Sequence, residues 1–403
     1  MKISGIIAEY NPFHFGHKYQ IDTLKKELDT YIIAIMSGDF VQRGECAILD
    51  KYKRSKIAIN NGVDLVIELP FFFSLQSAEN FAKGGISILN KLNIVDYLCF
   101  GFECEKKEDI VNIAEFQLKY KDEIEELLNY EIKLGKSYAV AYKNACVEIN
   151  NKYRVLEIED DFFISNNILS IEYVKNLILS KSKIIPFLIK RKGKNYNDEN
   201  YNTEEQLSAS AIRKAIYDNN FKKIENFIDK NTFNELENSV KNNILPNEKV
   251  ILEILKYNIL INQINPENIV NYENGILNLI RKNIYSVKSI EELAEKIQSK
   301  RYKKVRIKRF IYNYLLNINN DIKEFYSKDI EYITVLGFNE NGQNLIKEIK
   351  NKSKLEIITT NKSAQNLSAF QKNKFEIEQN SRKLYKLFTN NRNEAEFISF
   401  LQK

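Results

Sequence analysis

The chain of 403 residues is 44% hydrophobic, which is ample for a packed core, and its length suggests two or three domains. No apolar run approaches the length that spans a bilayer, the first residues predict a core strand rather than a signal peptide, and four cysteines without CxxC spacing indicate a reduced, cytoplasmic protein with no membrane partner. The formal net charge of +6 is too modest to imply a nucleic acid partner by itself.

The first half of the chain alternates short apolar runs with amphipathic patterns. Helices are predicted at about 17–28, 51–61 and 76–92. The apolar runs predict buried strands at Ile3–Ala8, Tyr31–Met36, Asp64–Leu69, Tyr97–Phe102 and Ile184–Ile189. This alternation predicts an α/β fold with a doubly wound parallel sheet, whose ligand lies at the carboxyl ends of the strands.

The pattern along the chain predicts three parts. Residues 1–220 form the α/β domain, with a charged helical insertion at 105–150. Residues 221–328 predict a mainly α-helical domain with Asn-rich turns. Residues 329–403 predict a small α/β segment, with strand, helix and strand at Tyr332–Gly337, Asn344–Lys350 and Leu355–Thr360. The polar stretch Lys192–Gln206 predicts a mobile surface loop near the ligand.

Both histidines of the chain fall in one stretch, Glu9–His17, between the first predicted strand and the first predicted helix. A helix N-terminus offers unpaired amides and a partial positive charge, and Gly16 lets the backbone approach a ligand closely. His14 and His17 can donate hydrogen bonds to phosphate oxygens as charge develops. A structural His pair in a turn is the alternative. A metal site is disfavoured because the chain has no third histidine and Glu9 is the only acid close by in the sequence.

Leu207–Arg213 is a second candidate phosphate-binding stretch, because it precedes a helical pattern. Ser208 or Ser210 can cap that helix and donate to a phosphate. Arg213 can reach a β- or γ-phosphate with a bidentate fork. Taken alone, the stretch is equally well explained as an ordinary helix N-cap.

These two stretches resemble known signatures. Asn11–His17 is similar to the HxGH signature of the nucleotidyltransferase superfamily, which implies a Rossmann-like sheet with His14 and His17 on the α- and β-phosphates of ATP. Leu207–Arg213 resembles the ISSTxIR motif that closes the nucleotide site in small-molecule members. That resemblance implies pyrophosphate contacts for Ser210 and Arg213.

Lys300–Arg309 is the most basic stretch, with seven basic residues in ten and no acid. Phe310, Tyr312 and Tyr314 follow it. Basic side chains with nearby aromatic rings suit an RNA backbone with splayed bases, although a solvated helix face is the common alternative. The predicted RNA contacts here are Arg301, Lys303, Lys304, Arg306, Lys308 and Arg309.

Residues 1 to about 315 resemble the tRNA(Met) cytidine acetate ligase family. The matching stretches are Glu9–His17, Met36–Ala47 with Cys46 where the family has proline, Asn167–Tyr173 with Ser170 where glycine is expected, and the basic Lys300–Arg309. The resemblance implies that ATP and acetate give acetyl-adenylate and pyrophosphate. The acetyl group then passes to the wobble cytidine of elongator tRNA(Met), giving N(4)-acetylcytidine.

The resemblance also implies roles for individual residues. His14, His17, Lys18 and Asp39 are the implied catalytic residues, with Asp39 either helping to hold magnesium or orienting the cytidine amine. Gln42 and Arg43 are implied in substrate or tRNA contact. Mg²⁺ is expected with ATP, without an obvious all-protein site. The implied ATP-binding residues are Ile7, Ala8, Glu9, Tyr10, Asn11, Pro12, Phe13, His14, Phe15, Gly16, His17, Lys18, Tyr19, Gln20, Gly101, Asn166, Asn167, Arg191, Ser210 and Arg213.

Three other functions remain open. A small-molecule adenylyltransferase would not need the long helical second half. An aminoacyl-tRNA synthetase relative is suggested faintly by Lys53–Lys56, which resembles a KMSKS loop but comes before the sheet is complete, and we interpret it as the start of a surface helix. A non-catalytic RNA-binding protein would leave the two histidines idle.

Overall fold

The computed structural model describes residues 2–156, 163, 165–191, 207–262, 264–328, 330–360, 362–389 and 400–401. The predicted loop Lys192–Gln206 lies outside these residues. Among the residues described, no helix is both long enough and apolar enough to cross a membrane.

The predicted strands form the central sheet of the molecule. Each of the five strands predicted in the first half is found within one residue of its expected bounds, because buried parallel strands carry continuous apolar runs. In chain order the strands are β1 Lys2–Ala8, β2 Thr30–Ser37, β3 Phe40–Val41, β4 Glu45–Cys46, β5 Leu65–Leu69, β6 Tyr97–Phe102, β7 Ile185–Lys190, β8 Tyr332–Phe338, β9 Glu356–Ile358 and β10 Phe400–Leu401.

The order of the strands creates a crevice at one position. The sheet runs β10-β8-β5-β2-β1-β6-β7, and β1 pairs in parallel with both β2 and β6. From β1 the chain first builds the sheet toward β5 and then returns to place β6 on the other side. In such a doubly wound sheet, the ligand crevice lies where the order reverses, here between β1 and β6.

Helices cover both faces of this sheet, as the predicted doubly wound fold requires. In chain order they are α1 Phe15–Leu28, α2 Lys51–Asn60, α3 Phe71–Ser74, α4 Ala78–Leu92, α5 Lys107–Lys119, α6 Lys121–Lys133, α7 Tyr138–Tyr153, α8 Ser165–Leu179, α9 Ala209–Tyr217, α10 Lys230–Lys241, α11 Glu248–Tyr257, α12 Ile276–Asn283, α13 Ile290–Ile297, α14 Lys304–Leu315, α15 Lys323–Ser327, α16 Glu340–Lys352 and α17 Ala369–Thr389. One core cluster joins α1, α2 and α9 to the sheet, and another joins α4 and α8 to the opposite face.

The last part of the chain returns to the first. Strand β8 pairs antiparallel with β5, and Gly337 lies opposite Val66. Helix α17 packs on α3, and the Tyr385 hydroxyl donates to the Ala47 carbonyl at 2.9 Å. The three-part division at about 220 and 328 stays a prediction, and the segment after 329 contributes directly to the central sheet.

Helix α2 differs from its expected surface position. Arg54 is fully buried, and its guanidinium donates to the carbonyls of Glu9 at 2.6 Å, Ser37 at 3.1 Å and Leu49 at 2.9 Å, as well as to that of Gly38. The charged pattern predicted the helix correctly and its exposure wrongly, because Arg54 satisfies the carbonyls that follow β1 and β2 instead of facing water.

Candidate active site

A cavity of about 270 Å³ lies at the carboxyl ends of β1 and β6, where the strand order reverses. Its size is near the lower end for small-molecule sites. The loop after β1, the start of α1, the end of β7, helix α8 and the start of α9 all contribute walls. The lining residues are Ile7, Ala8, Glu9, Tyr10, Asn11, His14, Gly16, His17, Tyr19, Gln20, Gln42, Arg43, Phe81, Phe100, Gly101, Glu103, Leu169, Ser170, Tyr173, Ile189, Lys190, Arg191, Leu207, Ser208 and Ala209.

The loop between β1 and α1 is held by its neighbours in a compact turn. Tyr10 has a positive φ of 47°, and the Asn11–Pro12 peptide bond is cis. The Asn11 side-chain oxygen accepts from the Ile48 amide at 2.8 Å, and the Asn11 carbonyl accepts from Arg213 at 2.8 Å. These contacts place the two histidines at the N-terminus of α1, beside the cavity.

The two histidines cap α1 with their own rings. His14 Nδ1 accepts from the Gly16 amide at 3.0 Å, and His17 Nδ1 accepts from the His14 amide at 3.2 Å. The rings stack with centroids 3.9 Å apart. Because each Nδ1 is an acceptor, a neutral ring carries its proton on Nε2. The helix N-terminus therefore presents two imidazole N–H donors in addition to its backbone amides.

Burial keeps these rings neutral. It lowers the pKa of His14 to about 3, and the nearby Arg191 charge contributes. The pKa of His17 also falls well below the usual value because of burial, His14 and Arg191. Neutral donors can bind phosphate oxygens across the physiological pH range without first taking up a proton.

Arg191 and Gly101 also line the cavity. Arg191 Nε lies 3.3 Å from Glu103 Oε1, and the Arg191 side chain is 43% exposed. A Cβ added at Gly101 would lie 2.9 Å from Arg191 Cγ. Glycine at this position therefore lets the arginine stem cross the end of β6 toward the cavity.

Arg213 links the histidine loop to the helical half of the chain. Its guanidinium donates to the Asn11 carbonyl and lies 3.0 Å from Glu45 Oε2. Glu45 Oε1 in turn lies 2.6 Å from Lys308 Nζ on α14. Burial raises the pKa of Glu45, but Arg213 and Lys308 together outweigh it, and the net shift is downward. This Lys308–Glu45–Arg213 relay fixes the loop that carries His14.

Most of the predicted ATP-binding residues are brought together at the cavity, and several are not. Phe13 is buried against Tyr10, with ring centroids 5.1 Å apart. Lys18 pairs with Asp22. Asn167 is buried, and its side-chain oxygen accepts from the Glu103 amide at 2.8 Å.

Ser208 lines the cavity and caps α9, accepting from the Ala211 amide at 3.2 Å. The predicted residues outside the lining are Pro12, Phe13, Phe15, Lys18, Asn167, Ser210 and Arg213, whereas the side chain of Asn166 lies outside the described part of the chain.

Asp39, predicted as catalytic, lies away from the cavity lining. Its carboxylate is 3.2 Å from Arg382 on α17, and it accepts from the Lys51 amide at 2.8 Å. Lys51 Nζ in turn lies 2.7 Å from Glu68 Oε1. Asp39 thus belongs to a buried charge network that ties α17 to the loop after β2.

The predicted RNA contacts lie in different surroundings. Gln42 and Arg43 line the cavity, and Arg309 Nε donates to the Gln42 carbonyl at 2.7 Å. Lys308 is only 4% exposed, so its place in the interior does not support an RNA contact. Three others are partly or largely exposed, and each pairs with an acid. Lys304 pairs with Glu291 and Glu295, and both Arg301 and Arg306 pair with Glu273. Lys303 is exposed at the start of α14.

The aromatic residues after the basic stretch are not available for base stacking. Phe310, Tyr312 and Tyr314 are at most 1% exposed. Tyr312 packs against Phe40 with ring centroids 5.2 Å apart. The expectation of stacking aromatic residues was wrong because these rings form the core-facing side of α14.

The apolar wall of the cavity was not predicted from the sequence. Phe81 on α4, Phe100 on β6, and Leu169 and Tyr173 on α8 supply it. Leu169 and Tyr173 lie in the Asn167–Tyr173 stretch, so their motif was the available signal. Phe81 had none, because only the packing of α4 on the sheet brings it here.

Carboxylates suited to a hard cation are few at this cavity. In the described ranges, no group of three or more histidine, cysteine, aspartate or glutamate side chains could hold a metal ion. Glu9 and Glu103 line the cavity, but Glu9 accepts from the Gln42 amide at 2.9 Å and Glu103 pairs with Arg191. Burial raises the pKa of Glu9. The Gln42 amide and the Arg213 charge lower it, but the net shift is upward.

Known proteins are similar to this chain over most of its length. The HIGH nucleotidyl transferase family model matches residues 1–397. The chain is 41% identical over 361 residues to the tRNA(Met) cytidine acetate ligase of Clostridium novyi (strain NT), with 89% of each chain covered. It is 43% identical over 366 residues to the tRNA(Met) cytidine acetate ligase of Thermoanaerobacter sp. (strain X514), which covers 89% of this chain and 88% of the relative.

Solved structures share the fold. Apo Thermotoga maritima TmcAL (form I) superposes with a TM-score of 0.89 at 26% identity, with both chains covered in full. The same protein bound with alpha-thio ATP (form II) gives a TM-score of 0.87, again at 26% identity and with full coverage. The predicted fold class is confirmed by this likeness.

Proposed function

We propose, because this chain belongs to the tRNA(Met) cytidine acetate ligase family, that it makes acetyl-adenylate from ATP and acetate and then acetylates the wobble cytidine of elongator tRNA(Met). The product of the second step is N(4)-acetylcytidine. The observation that carries the proposal is the pair of neutral histidine Nε2 donors at the start of α1, beside a cavity at the sheet's switch point.

In the first step, an acetate oxygen attacks the α-phosphorus of ATP, the bond to the bridging oxygen breaks, and pyrophosphate leaves. Acetate is already anionic, so no base is needed. The Nε2 donors of His14 and His17 and the amides at the start of α1 stabilise the charge that develops on the phosphates. Arg191 at the cavity mouth adds a cation that holds the nucleotide.

In the second step, the cytidine N4 amine attacks the acetyl carbonyl carbon and AMP leaves. The nitrogen must lose one proton. Glu9 lines the cavity, and its carboxylate is available to accept that proton, because Glu103 is already paired with Arg191. Arg43 at the cavity and the exposed Arg306 and Lys303 of the helical part supply cations for the RNA backbone.

Magnesium enters this scheme with ATP. Mg²⁺ usually keeps several waters and is held by substrate phosphates and one or two carboxylates. At the cavity, Glu103 is paired with Arg191, and Glu9 accepts from the Gln42 amide and is the proposed proton acceptor, so the substrate phosphates and water would supply most of the ligands. When bound, the ion would neutralise charge on the phosphates.

The test uses the purified 403-residue chain, ATP, magnesium, isotopically labelled acetate and an elongator tRNA(Met) transcript. The matched control transcript has uridine in place of the wobble cytidine. We expect AMP and labelled N(4)-acetylcytidine with the first transcript, and no labelled nucleoside with the second. The tRNA is digested to nucleosides and read by mass spectrometry.

Other outcomes assign other functions. Acetate-dependent AMP formation without a labelled nucleoside would support the adenylation step and contradict RNA as the acceptor of the acetyl group. AMP or adenylylated product only with a phosphorylated metabolite would indicate a small-molecule adenylyltransferase. Binding of the transcript without ATP turnover would indicate a non-catalytic RNA-binding protein.

A further inference from the structure

Tyr173 has a buried hydroxyl that the fold itself does not use. The residue is 3% exposed, and its hydroxyl has no hydrogen-bond partner among the described residues. Buried tyrosine hydroxyls are normally paired, because leaving one unpaired costs free energy. Tyr173 also lines the active-site cavity. A ligand in the cavity is therefore the natural acceptor for this donor.

The surroundings of this hydroxyl are apolar. The rings of Tyr173 and Phe100 are 5.4 Å apart, and Phe81 and Leu169 continue the same wall of the cavity. This wall belongs to the core face covered by α4 and α8, whereas the two histidines lie at α1 on the opposite face. One polar donor among apolar side chains suits a small ligand with one polar and one apolar end.

We propose that these residues form the acyl subsite: the Tyr173 hydroxyl donates to an oxygen of acetate, and the acetate methyl group packs against Phe81, Phe100 and Leu169. The inference rests on the proposed function and adds to it the residues that select the acid. The hydrogen bond holds acetate while its other oxygen attacks the α-phosphorus. Tyr173 keeps its proton throughout, so no proton transfer accompanies the step.

Glu9 is the acidic group whose charge reaches Tyr173, and its negative charge must be reconciled with an anionic substrate. The Gln42 amide donates to Glu9 Oε1 at 2.9 Å, and the charges of Arg213 and Arg43 act on the same carboxylate. These groups oppose the repulsion between Glu9 and acetate. Burial also raises the pKa of Tyr173, which keeps its hydroxyl protonated as a donor.

Tyr173→Phe is a clean test because the hydroxyl has no hydrogen-bond partner in the described part of the chain. Removing an unpaired buried hydroxyl leaves the stability equal to or above that of the wild type. A hydrogen bond to a charged ligand is lost, so the KM for acetate should rise roughly 10- to 100-fold, with the KM for ATP little changed. Acetate-dependent pyrophosphate release, measured without tRNA, gives both constants.

Tyr332→Phe is the matched control. Tyr332 on β8 is also buried, and its hydroxyl likewise lacks a partner in the described part of the chain, but it does not line the cavity. This variant should keep the wild-type KM for acetate. Equal effects of the two substitutions, or an effect of Tyr173→Phe on ATP alone, would overturn the acyl subsite.

A second variant tests the apolar end independently. Phe81→Leu shortens a side chain of the wall and so enlarges the pocket beside it. The preference for acetate over propionate, as a ratio of kcat/KM values, should fall by roughly tenfold, because one methylene in an apolar pocket changes kcat/KM by about 10- to 200-fold. An unchanged preference would place the methyl group elsewhere. If the wild type releases no pyrophosphate with acetate, the proposed function itself fails, whereas an active wild type with unaffected variants contradicts the subsite alone.

Discussion

We propose two roles for His14 that can be separated at the level of one residue. Its Nδ1 caps α1 by accepting from the Gly16 amide. In the proposed function, its Nε2 donates to a phosphate. His14→Asn keeps an acceptor near the Nδ1 position, and asparagine is a good N-cap. The variant should fold normally, and acetate-dependent AMP formation should fall roughly 100- to 1000-fold, as for the loss of one oxyanion donor.

The control for this substitution lies three residues further on. His17→Gln keeps a donor near the Nε2 position and loses the Nδ1 acceptor for the His14 amide. It should retain more activity than His17→Asn, which keeps an acceptor near the Nδ1 position and loses the donor at the Nε2 position. If the order is reversed, helix capping rather than phosphate contact is the function of the pair.

The lowered pKa values of the two histidines predict that stability depends on pH. Their pKa values in the folded state lie below the unfolded value of about 6.5, so the unfolded chain binds more protons below that pH. The stability from neutral histidine is therefore complete above about pH 6.5 and is lost as the pH falls toward the folded pKa. For His14, that loss is about 1.4 kcal/mol per pH unit.

Urea unfolding at pH 7 and pH 5 measures this effect. The wild type should lose about 2 kcal/mol more than His14→Asn between these two values. The chain has no other histidine besides His14 and His17, so a double variant removes the whole contribution of this residue type. If the free energy of unfolding fell equally between pH 7 and pH 5 in the wild type, in His14→Asn and in the double variant, the rings would titrate normally in the folded protein.

Local pattern explains why the elements were easier to predict than their contacts. The five parallel strands and α1 follow from apolar runs and a helix start. The pairing of β8 with β5 joins residues about 270 positions apart, and no local pattern records such a partner. The same limit applies to the site, where the His14 and His17 motif was predictable and the wall residue Phe81 was not.

Helix α14 is linked to the loop that carries His14 through the Lys308–Glu45–Arg213 relay. Lys308→Met leaves Glu45 with one fewer cation and should weaken the hold on the Asn11 carbonyl. Since Glu45 is partly exposed, we expect a loss of about 1–3 kcal/mol in the free energy of unfolding. The KM for ATP should rise, because the loop that carries His14 becomes less ordered.

Lys53→Met provides the comparison for this prediction. Lys53 Nζ lies 3.0 Å from Glu235 on α10, so this variant also removes a half-buried ion pair between helices, but it has no link to the histidine loop. It should affect stability alone. Equal KM values for ATP in the two variants would contradict the relay and leave Lys308 with a purely structural role.

On the scale of the whole molecule, α17 completes the loop that follows β2. Arg382 and Asp39 form an ion pair that is at most 3% exposed, and Glu378 on the same helix accepts from the Phe71 amide at 2.6 Å. Burial, together with the charge of Glu68, raises the pKa of Glu378 well above its usual value. Helix α17 therefore contacts, through Asp39, the same loop that supplies Gln42 and Arg43 to the cavity.

The Arg382–Asp39 pair allows a test of whether Asp39 acts in chemistry or in structure. Arg382→Met leaves the Asp39 carboxylate buried without its cation and should cost about 3–5 kcal/mol of unfolding free energy. In Asp39→Asn/Arg382→Met, the charge is gone and the amide oxygen still accepts from the Lys51 amide, so most of that loss should be recovered. We expect acetate-dependent AMP formation to recover with stability, because Asp39 lies outside the cavity lining. A double variant that regains stability and stays inactive would instead make Asp39 a catalytic residue.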